Sequence, residues 1–270
     1  MPELPEVETV RRTLLPLLKN KIIQDVDIYW KNCVRTENFQ SIIKNQRIHD
    51  IVRHGKYLVF VLDQHVMISH LRMEGKYYLH QPRKKGPHEH VVFHLDSHEY
   101  LTYHDTRKFG KFELISKDNY QDVPPISHLG DEPKDIDAHD LYQKLKHKKI
   151  PIKMALLDQH LVSGLGNIYV DETLYRARLH PEKKCYQLTK KNVEHIIFHA
   201  IEVLDHAVQL GGSTIRTYHA IHGVNGKFQN ELRVHTKLGE PCQHCQTKII
   251  KIKVGGRGTY VCPTCQKKST

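Results

Sequence analysis

The sequence predicts an α+β protein with several domains: an N-terminal β-sandwich with a leading helix, a helical domain and a C-terminal β-hairpin ribbon. Three observations predict this order. Short alternating strand patterns fill residues 22–115, a helical apolar period follows residue 136, and two Cys-x2-Cys pairs lie near the C-terminus. A chain of 270 residues is long enough for two domains and a small appendage.

The first element is a helix over residues 5–19, in which apolar residues recur at three- and four-residue steps and Pro5 suits the first turn. Six segments with strand-like alternation follow it: IIQDVDIYW, YLVFVL, VMISHL, HVVFHL, YLTYH and KFELI. We therefore predict a β-sandwich domain over residues 1–115. The proline-containing stretch 116–135 is predicted to be a linker.

Helical periodicity dominates the next part of the chain. The helices are predicted over residues 138–147, 152–159, 167–177 and 189–210. They form a predicted domain over residues 136–230, which ends with a polar loop over residues 211–227. The remaining residues, 231–270, are basic, with eight Lys and Arg against two Glu.

The charge balance favours a polyanionic partner. The chain has 41 Lys and Arg against 30 Asp and Glu, a net charge of +11. Its apolar runs, such as residues 57–62, are far shorter than the roughly 18–20 residues that cross a bilayer, so no membrane partner is expected. The acidic N-terminus has no apolar signal segment, and the cysteine spacing suits metal rather than disulfides, so we predict a cytoplasmic protein.

The C-terminal segment carries a metal-binding pattern. Cys242-x2-Cys245 and Cys262-x2-Cys265 are separated by sixteen residues, a spacing that indicates one structural Zn²⁺ with four thiolate ligands. The intervening residues are predicted to form a hairpin with Arg257 at its tip. There a guanidinium can reach into a groove or onto a phosphate, and the alternative is a solvated turn residue.

The N-terminus carries a candidate nucleophile. If Met1 is removed, Pro2 becomes a secondary amine, and α-amino groups titrate near pH ~8, so part of it is unprotonated at neutral pH. Such an amine can attack a sugar carbon to give an iminium. Glu3 and Glu6 supply carboxylates for proton transfer. The alternative is an ordinary helix start with favourable acidic residues.

Five separated motifs favour the first interpretation. PELPEVETVRR, HLRMEG, DTRKFG, GLGNIYVDE and the four-cysteine ribbon, in this order, resemble the formamidopyrimidine-DNA glycosylase family of bacterial repair enzymes. The resemblance covers essentially the whole chain. It implies a monomeric, bifunctional DNA glycosylase/AP lyase of base-excision repair that excises 8-oxoguanine and formamidopyrimidines from double-stranded DNA. It also implies cleavage of the strand at abasic sites by β,δ-elimination, and a location at the bacterial nucleoid.

The resemblance assigns four catalytic residues. Pro2 attacks C1′ of the damaged nucleotide through a Schiff base, and Glu3 moves protons as the sugar opens. Lys56 matches the lysine assigned to β-elimination, although a lysine that opens a buried strand is equally explained by an edge position. Arg257 matches the arginine that binds a phosphate and serves δ-elimination.

The same resemblance implies which residues fill the space left by an extruded base. Met73, Arg107 and Phe109 match these positions, since an adaptable apolar group, a donor and a wedge suit that task. Without the resemblance, Met73 and Phe109 would be interpreted as core residues.

Further DNA contacts are implied for His88, Arg107 and Lys148. Residues 154–180 resemble a helix–two-turn–helix element, and Asn167 is expected at a helix cap that binds a phosphate.

Lesion recognition is implied for Glu6, Glu172 and the loop over residues 211–227. For Glu172 the sequence leaves two alternatives open: its side chain faces the catalytic pocket, or it lies on the solvent-exposed surface of a helix. By the resemblance, the Ser213 carbonyl accepts the N7 proton of 8-oxoguanine, and backbone amides of the following residues bind the purine oxygen. The loop residues in this set are Ser213, Ile215, Arg216, Thr217 and Tyr218.

Two other functions stay open from the sequence. An oxidised-pyrimidine glycosylase would share the same scaffold, but its relatives start without LPEVE and lack the residues at 73, 107 and 109. A non-catalytic zinc-ribbon protein could bind damaged DNA without cleaving it. Borohydride trapping distinguishes an enzyme from such a binding protein, because only an enzyme that forms an imine with the DNA is reduced to a stable covalent adduct.

Overall fold

A computed structural model of the protein describes residues 2–81, 86–213 and 226–268. The chain forms two compact units. Unit 1 comprises residues up to Ser127 with the described part of Gly211–Gly226, and unit 2 comprises His128–Leu210 with the residues from Lys227 onward. The division falls inside the stretch predicted as a linker. The cysteine ribbon groups with the helical segment, and the ends of the polar loop group with unit 1 rather than with the helical domain in which we predicted them.

Unit 1 begins with helix α1, Leu4–Leu18. Glu3 is its N-cap and Pro5 lies in its first turn, where a missing N–H removes no helical hydrogen bond. The stripe of apolar residues predicted from the sequence is buried and packs in the main core of the unit. Helix α1 therefore fixes the residues that immediately precede it, which include Pro2 and Glu3.

Two antiparallel sheets follow, which confirms the predicted sandwich of strands. The first sheet has the order β2-β1-β7-β8-β6 and the second has the order β3-β4-β5-β9. The strands are β1 Ile22–Ile28, β2 Gln46–Arg47, β3 Asp50–His54, β4 Tyr57–Val61, β5 His65–His70, β6 Lys76–His80, β7 Glu89–Leu95, β8 Tyr100–His104 and β9 Lys111–Ser116.

Three short strands and one short α-helix in the described part of unit 1 have no counterpart in the prediction. They are strands β2, β3 and β6 and helix α2, Phe39–Ile43. Each is two to five residues long, so the apolar period that identifies an element is barely sampled. All six predicted strands are present, and their side chains form one apolar core with those of α1 and α2.

The described part of unit 2 contains four α-helices: α3 Ala138–Leu145, α4 Ile152–Leu157, α5 Asn167–Arg176 and α6 Lys190–Gln209. They match the predicted helices to within two residues at each end. The capping residues explain two of the starts, because the side chains of Asp137 and Thr189 accept backbone N–H groups from the first turns of α3 and α6.

The ribbon of unit 2 contains a β-hairpin, formed by β10 Ile250–Val254 and β11 Arg257–Val261. Gly255 and Gly256 have φ angles of +53° and +79°, and they form a two-residue turn that such angles permit. The two glycines form the tip, so the prediction that Arg257 occupies the tip is wrong. Arg257 is the first residue of β11, paired with Val254, and its side chain is exposed. In the described part of the chain, no helix is long and apolar enough to cross a membrane.

Candidate active site and metal centre

The candidate nucleophile and its neighbours are held at the start of α1. Pro2, Glu3 and Glu6 are all buried. One oxygen of the Glu6 carboxylate, Oε2, accepts the backbone N–H of Glu3 at 2.8 Å. The other, Oε1, accepts the backbone N–H of Ser213 at 2.7 Å and faces the Ser213 hydroxyl at 3.4 Å. A single carboxylate therefore links the N-terminal segment to the stem of the 211–227 loop.

Lys56 lies in the two-residue turn between β3 and β4 and is 5% exposed. Its charge acts on His70, which is on the neighbouring strand β5. Burial, followed by the positive charges of Arg72, Lys56 and Arg35, lowers the pKa of His70 to about 3. His70 is therefore neutral, and its Nδ1 accepts the backbone N–H of Arg72 at 2.9 Å. Three basic side chains, those of Arg72, Lys56 and Arg35, thus act on the same histidine, and such a group of cations attracts anionic ligands.

Asp105 organises the loop that presents Arg107 and Phe109. Its carboxylate accepts the backbone N–H groups of Arg107 at 3.0 Å, Phe109 at 2.8 Å and Gly110 at 2.8 Å. The side chains of Arg107 and Phe109 then lie outside, with the guanidinium carbon 4.8 Å from the centre of the Phe109 ring. Phe109 is 47% exposed, so it does not belong to the core.

The buried ring of Tyr103 supports two exposed loops of unit 1. A Cβ on Gly75 or on Gly110 would collide with the Tyr103 hydroxyl, so glycine is required at both positions. Gly75 follows the turn that carries Met73, which is 37% exposed. The structure therefore gives Met73 and Phe109 the exposed positions that insertion into DNA needs, in place of the core positions that their residue types suggest.

The sequence did not draw attention to Asp105 or Tyr103. Asp105 opens the DTRKFG motif, and an Asp at the start of a turn is a known signal for side-chain hydrogen bonds to the following backbone N–H groups. Tyr103 gave no such signal, because its role depends on tertiary packing against Gly75 and Gly110, which the sequence pattern does not show.

The remaining predicted DNA contacts are described one unit at a time. In unit 1, His88 is exposed with a φ angle of +65°, and its carbonyl accepts the N–H of Asp105. In unit 2, Lys148 is partly exposed in the turn after α3. The expected helix cap at Asn167 is wrong: Gly166 is the N-cap of α5, and Asn167 is the first helical residue. Its side-chain amide donates to the carbonyl of Gly258 at 3.0 Å.

Glu172 requires a correction. Its side chain is completely buried in unit 2, and its carboxylate accepts the backbone N–H groups of Arg233, Val234 and His235 at 2.9–3.1 Å. Burial raises its pKa, while these hydrogen bonds oppose the shift. A carboxylate with this set of bonds anchors the 233–235 segment to α5. It has no surface left for a lesion, so the predicted lesion contact of Glu172 is wrong.

Four other predicted loop residues, Ile215, Arg216, Thr217 and Tyr218, lie outside the described part of the chain. The predicted roles of the loop beyond Ser213 therefore stay predictions. For Ser213, the described backbone N–H is bonded to Glu6.

The four cysteines of the ribbon converge on one point. The sulfur atoms of Cys242, Cys245, Cys262 and Cys265 all lie within 4.8 Å of one another, and three of the separations are 3.4–3.8 Å. Tetrahedral Zn²⁺ with Zn–S bonds of about 2.3 Å spaces its sulfur ligands by about 3.8 Å, so the cluster fits zinc. With four thiolates the shell is closed, and the ion is structural.

Helix α5 and the turn that follows it bind this cluster. The Tyr175 hydroxyl lies 3.1 Å from the Cys242 sulfur. Gln266 accepts the N–H of Cys262 at 3.0 Å and donates to the carbonyl of Leu179 at 2.9 Å. When zinc is bound, Cys242 is a thiolate and the tyrosine hydroxyl is the donor, so Tyr175 belongs to the outer shell of the metal site.

Comparison with known proteins identifies the family. Residues 1–112 match the formamidopyrimidine-DNA glycosylase N-terminal domain, residues 129–219 match its H2TH domain, and residues 239–268 match the zinc finger found in FPG and IleRS. The formamidopyrimidine-DNA glycosylase of Oceanobacillus iheyensis is 46% identical over 98% of both chains. The chain belongs to the formamidopyrimidine-DNA glycosylase family. The Bacillus subtilis member is also 46% identical, over 99% of this chain and 100% of its own.

Solved structures of formamidopyrimidine-DNA glycosylases agree with this assignment. A Lactococcus lactis FPG variant in complex with Fapy-dG-containing DNA has a TM-score of 0.94 at 44% identity, over 99% of this chain and 100% of that one. MutM in complex with DNA that contains carbocyclic 8-oxo-G has a TM-score of 0.93 at 43% identity, with the same coverage. The predicted family, fold class, enzyme class and zinc site are thereby confirmed.

Proposed function

We propose that this chain excises oxidised purines, 8-oxoguanine and formamidopyrimidines, from double-stranded DNA and then cleaves the strand at the abasic site. The observation that carries the proposal is the buried Pro2–Glu3 segment, whose backbone is held by Glu6 at the start of α1. An amine and a carboxylate fixed side by side are the two groups that imine formation at a sugar carbon requires. The relatives in complex with Fapy-dG and 8-oxo-G DNA support the substrate class.

In the proposed reaction the Pro2 nitrogen forms a bond to C1′, and the base leaves with the electron pair of the glycosidic bond and takes up a proton. Loss of the amine proton and protonation of O4′ by Glu3 then open the sugar and leave an iminium. Removal of a C2′ proton, assisted by Lys56, expels the 3′ phosphate. A second elimination, served by Arg257, removes the C4′ proton and expels the 5′ phosphate, and water then releases Pro2 from the remaining sugar fragment.

The exposed side chains of Met73, Arg107 and Phe109 are proposed to fill the space left in the duplex, because base flipping removes a stacked partner and its hydrogen bonds. Contacts with DNA are assigned to His88 and Lys148, and a contact with a phosphate is assigned to Arg257, because these side chains can donate hydrogen bonds to DNA. The phosphate contact predicted for Asn167 is not assigned to its side-chain amide, which donates to the Gly258 carbonyl. We assign the protein as a monomer that acts in the cytoplasm on nucleoid DNA. Binding to this polyanion accounts for the basic charge of the chain.

The test of the nucleophile is borohydride trapping on DNA with an abasic site. Mass spectrometry first establishes that Met1 is absent from the purified protein, since Pro2 is an amine only then. We expect a covalent adduct, and peptide mapping should place the attached DNA fragment on Pro2. Pro2→Gly, which leaves a primary amine, should slow base excision while DNA binding persists. Pro16→Ala, an exposed proline in the last turn of α1, is the matched control.

A full excision rate in Pro2→Gly, or an adduct that maps to Lys56, would overturn the assignment of Pro2. Absence of any adduct from a protein that binds damaged DNA would favour the non-catalytic zinc-ribbon alternative. Excision of oxidised pyrimidines but not of 8-oxoguanine would overturn the proposed substrate class.

The role of Glu3 is tested by Glu3→Gln, which preserves shape but cannot transfer a proton. We expect binding of lesion DNA within a few-fold of the parent and a base-excision rate lower by ~10²-fold or more, the usual scale for a general acid–base group. On DNA with a preformed abasic site the loss should be smaller, because the glycosidic bond is already broken. Glu37→Gln, at an exposed position in the same unit, is the control. Equal loss on both substrates would assign Glu3 to the elimination steps as well.

A further inference from the structure

Three ionisable side chains form a buried chain of contacts in unit 2. Lys153 of α4 lies 2.6 Å from one oxygen of Asp171 on α5, and neither side chain is exposed. The other Asp171 oxygen lies 2.8 Å from Nδ1 of His235. None of the three was assigned a role from the sequence, and none has a part in the proposed chemistry.

This network also binds strand β11, which begins with Arg257. The backbone N–H of Tyr260 donates to Asp171 at 3.3 Å, and the Lys153 amine lies 3.4 Å from the carbonyl of Gly258. The same Gly258 carbonyl accepts the Asn167 amide at 3.0 Å. The backbone directly after Arg257 is therefore fixed by polar contacts from α4 and α5.

Few residues of the hairpin are buried, and in β11 these are Thr259 and Val261. Strand β10 is mostly exposed, and of its five residues only Val254 is buried. The turn itself consists of Gly255 and Gly256, and its backbone lies so close to Met154 that a Cβ on Gly255 would collide with the thioether. Directional polar contacts therefore contribute to the orientation of the Arg257 backbone, and a small rotation would break their geometry.

The energetics favour a positioning role over a stabilising one. Burial of an ion pair carries a desolvation cost, and replacement of such pairs by apolar residues is often neutral or stabilising. A fully hydrogen-bonded buried network instead fixes orientation. The Lys153–Asp171 pair joins α4 to α5 and contacts His235 and, in β11, the carbonyl of Gly258 and the N–H of Tyr260.

We propose that Lys153, Asp171 and His235 are positioning residues that orient Arg257, and that they thereby control the second elimination of the strand-cleavage reaction. The proposal rests on the function proposed for Arg257. It predicts that damage to the network leaves base excision by Pro2 nearly intact and changes how the abasic product is divided between β- and δ-elimination.

The experiment measures the ratio of β- to δ-elimination products on DNA with an abasic site. Only folded molecules contribute to this ratio, so a loss of stability alone does not move it. Asp171→Asn should lower the δ fraction by about 10-fold, since a misplacement of about 1 Å can cost up to ~10²-fold in rate. Asp205→Asn, at an exposed position on α6, is the matched control. Arg257→Gln provides the reference for complete loss of the guanidinium.

A double variant, Lys153→Met with Asp171→Leu, covers the case in which Asp171→Asn fails to fold, because it replaces the buried pair with apolar groups of similar size. It too should lose δ-elimination while base excision continues. A normal product ratio in the folded variants, together with a changed ratio in Arg257→Gln, would overturn the positioning proposal. A normal ratio in Arg257→Gln would instead overturn the role proposed for Arg257.

Discussion

The candidate catalytic segment in unit 1 and the ribbon in unit 2 are held by different kinds of interaction. Helix α1, which carries the Pro2–Glu3 segment, packs in an apolar cluster that draws residues from both sheets. The ribbon's own buried cluster consists of Val234, Cys242, Ile249 and Cys262, so half of it is metal ligand. Apolar burial can hold the first region without help, whereas the second depends on zinc and on polar contacts with α4 and α5.

This difference separates the two halves of the proposed chemistry. The groups assigned to base removal lie in a unit that folds around a large core. The arginine assigned to the last elimination lies on a hairpin whose stability comes from metal and hydrogen bonds. Perturbations that act on the metal or on polar contacts should therefore impair the ribbon first.

Removal of zinc should produce the largest effect. Structural zinc sites contribute about 10 kcal/mol or more, so chelation should unfold the ribbon and abolish binding of lesion DNA. Unit 1 should stay folded, and the single tryptophan of the chain, Trp30, reports on it by fluorescence. Hydrogen exchange should rise in β10 and β11 and stay low in β4 and β5, and added zinc should restore binding. A zinc-free protein with unchanged affinity for DNA would contradict the proposed role of the ribbon.

An intermediate effect is expected at Glu8, which ties α1 to the second sheet. Its carboxylate accepts hydrogen bonds from Arg11, Arg12 and Arg53 at 2.8–3.2 Å. Burial opposes its ionisation, but the hydrogen bonds from Arg11 and Arg12 and the charges of Arg11 and Arg53 prevail and lower its pKa from 4.5 to about 2.

Glu8→Gln should therefore lower the free energy of unfolding at neutral pH by about 1–3 kcal/mol, the scale for loss of a charged hydrogen-bond partner. Because the folded-state pKa is depressed, this contribution is present above pH 4.5 and disappears as the pH falls towards 2. Urea unfolding followed by Trp30 fluorescence measures the difference, with Glu37→Gln as control. A difference between variant and parent that grows on acidification would contradict this linkage.

The smallest effect is expected from Tyr175→Phe, which removes the hydroxyl beside Cys242. Loss of this donor leaves the anionic four-thiolate centre less stabilised and Cys242 easier to protonate, so zinc should be lost to a chelator several-fold faster, below the 10- to 100-fold effects typical of outer-shell partners. The release is followed with a chromogenic chelator. Tyr186→Phe, at an exposed tyrosine of the same unit, should release zinc at the parental rate. Equal rates for both variants would show that the hydroxyl does not affect the metal.

Much of the architecture could be predicted from the sequence, because it depends on local periodicity and spacing. The helices of unit 2 and the longer strands of unit 1 have clear apolar periods, and the four cysteines have a spacing that few other sites share. The motifs of the N-terminus identified the family because they occur together and in order.

The errors concern side chains whose partners are distant in the sequence. Glu172 has an acidic side chain in a helix, and nothing local shows that its carboxylate is used by backbone N–H groups 61–63 residues later. Asn167 lies one residue from the cap position, and its amide is committed to Gly258, 91 residues away. Contacts of this kind follow from tertiary packing, which sequence periodicity does not record.

The Glu6 carboxylate, which accepts the N–H groups of Glu3 and Ser213, limits the substitutions that the sequence can accept. A Cβ on Gly212 would lie 2.8 Å from the Glu6 carboxylate, and the φ angle of +77° at Gly212 is one that other residues rarely adopt. The carboxylate that holds the N–H of Glu3 therefore requires the absence of a side chain more than 200 positions later. In a library that randomises both positions, functional clones should retain glycine at 212 and glutamate at 6 as a pair. Substitutions at these two positions are therefore coupled, although most of the chain separates them.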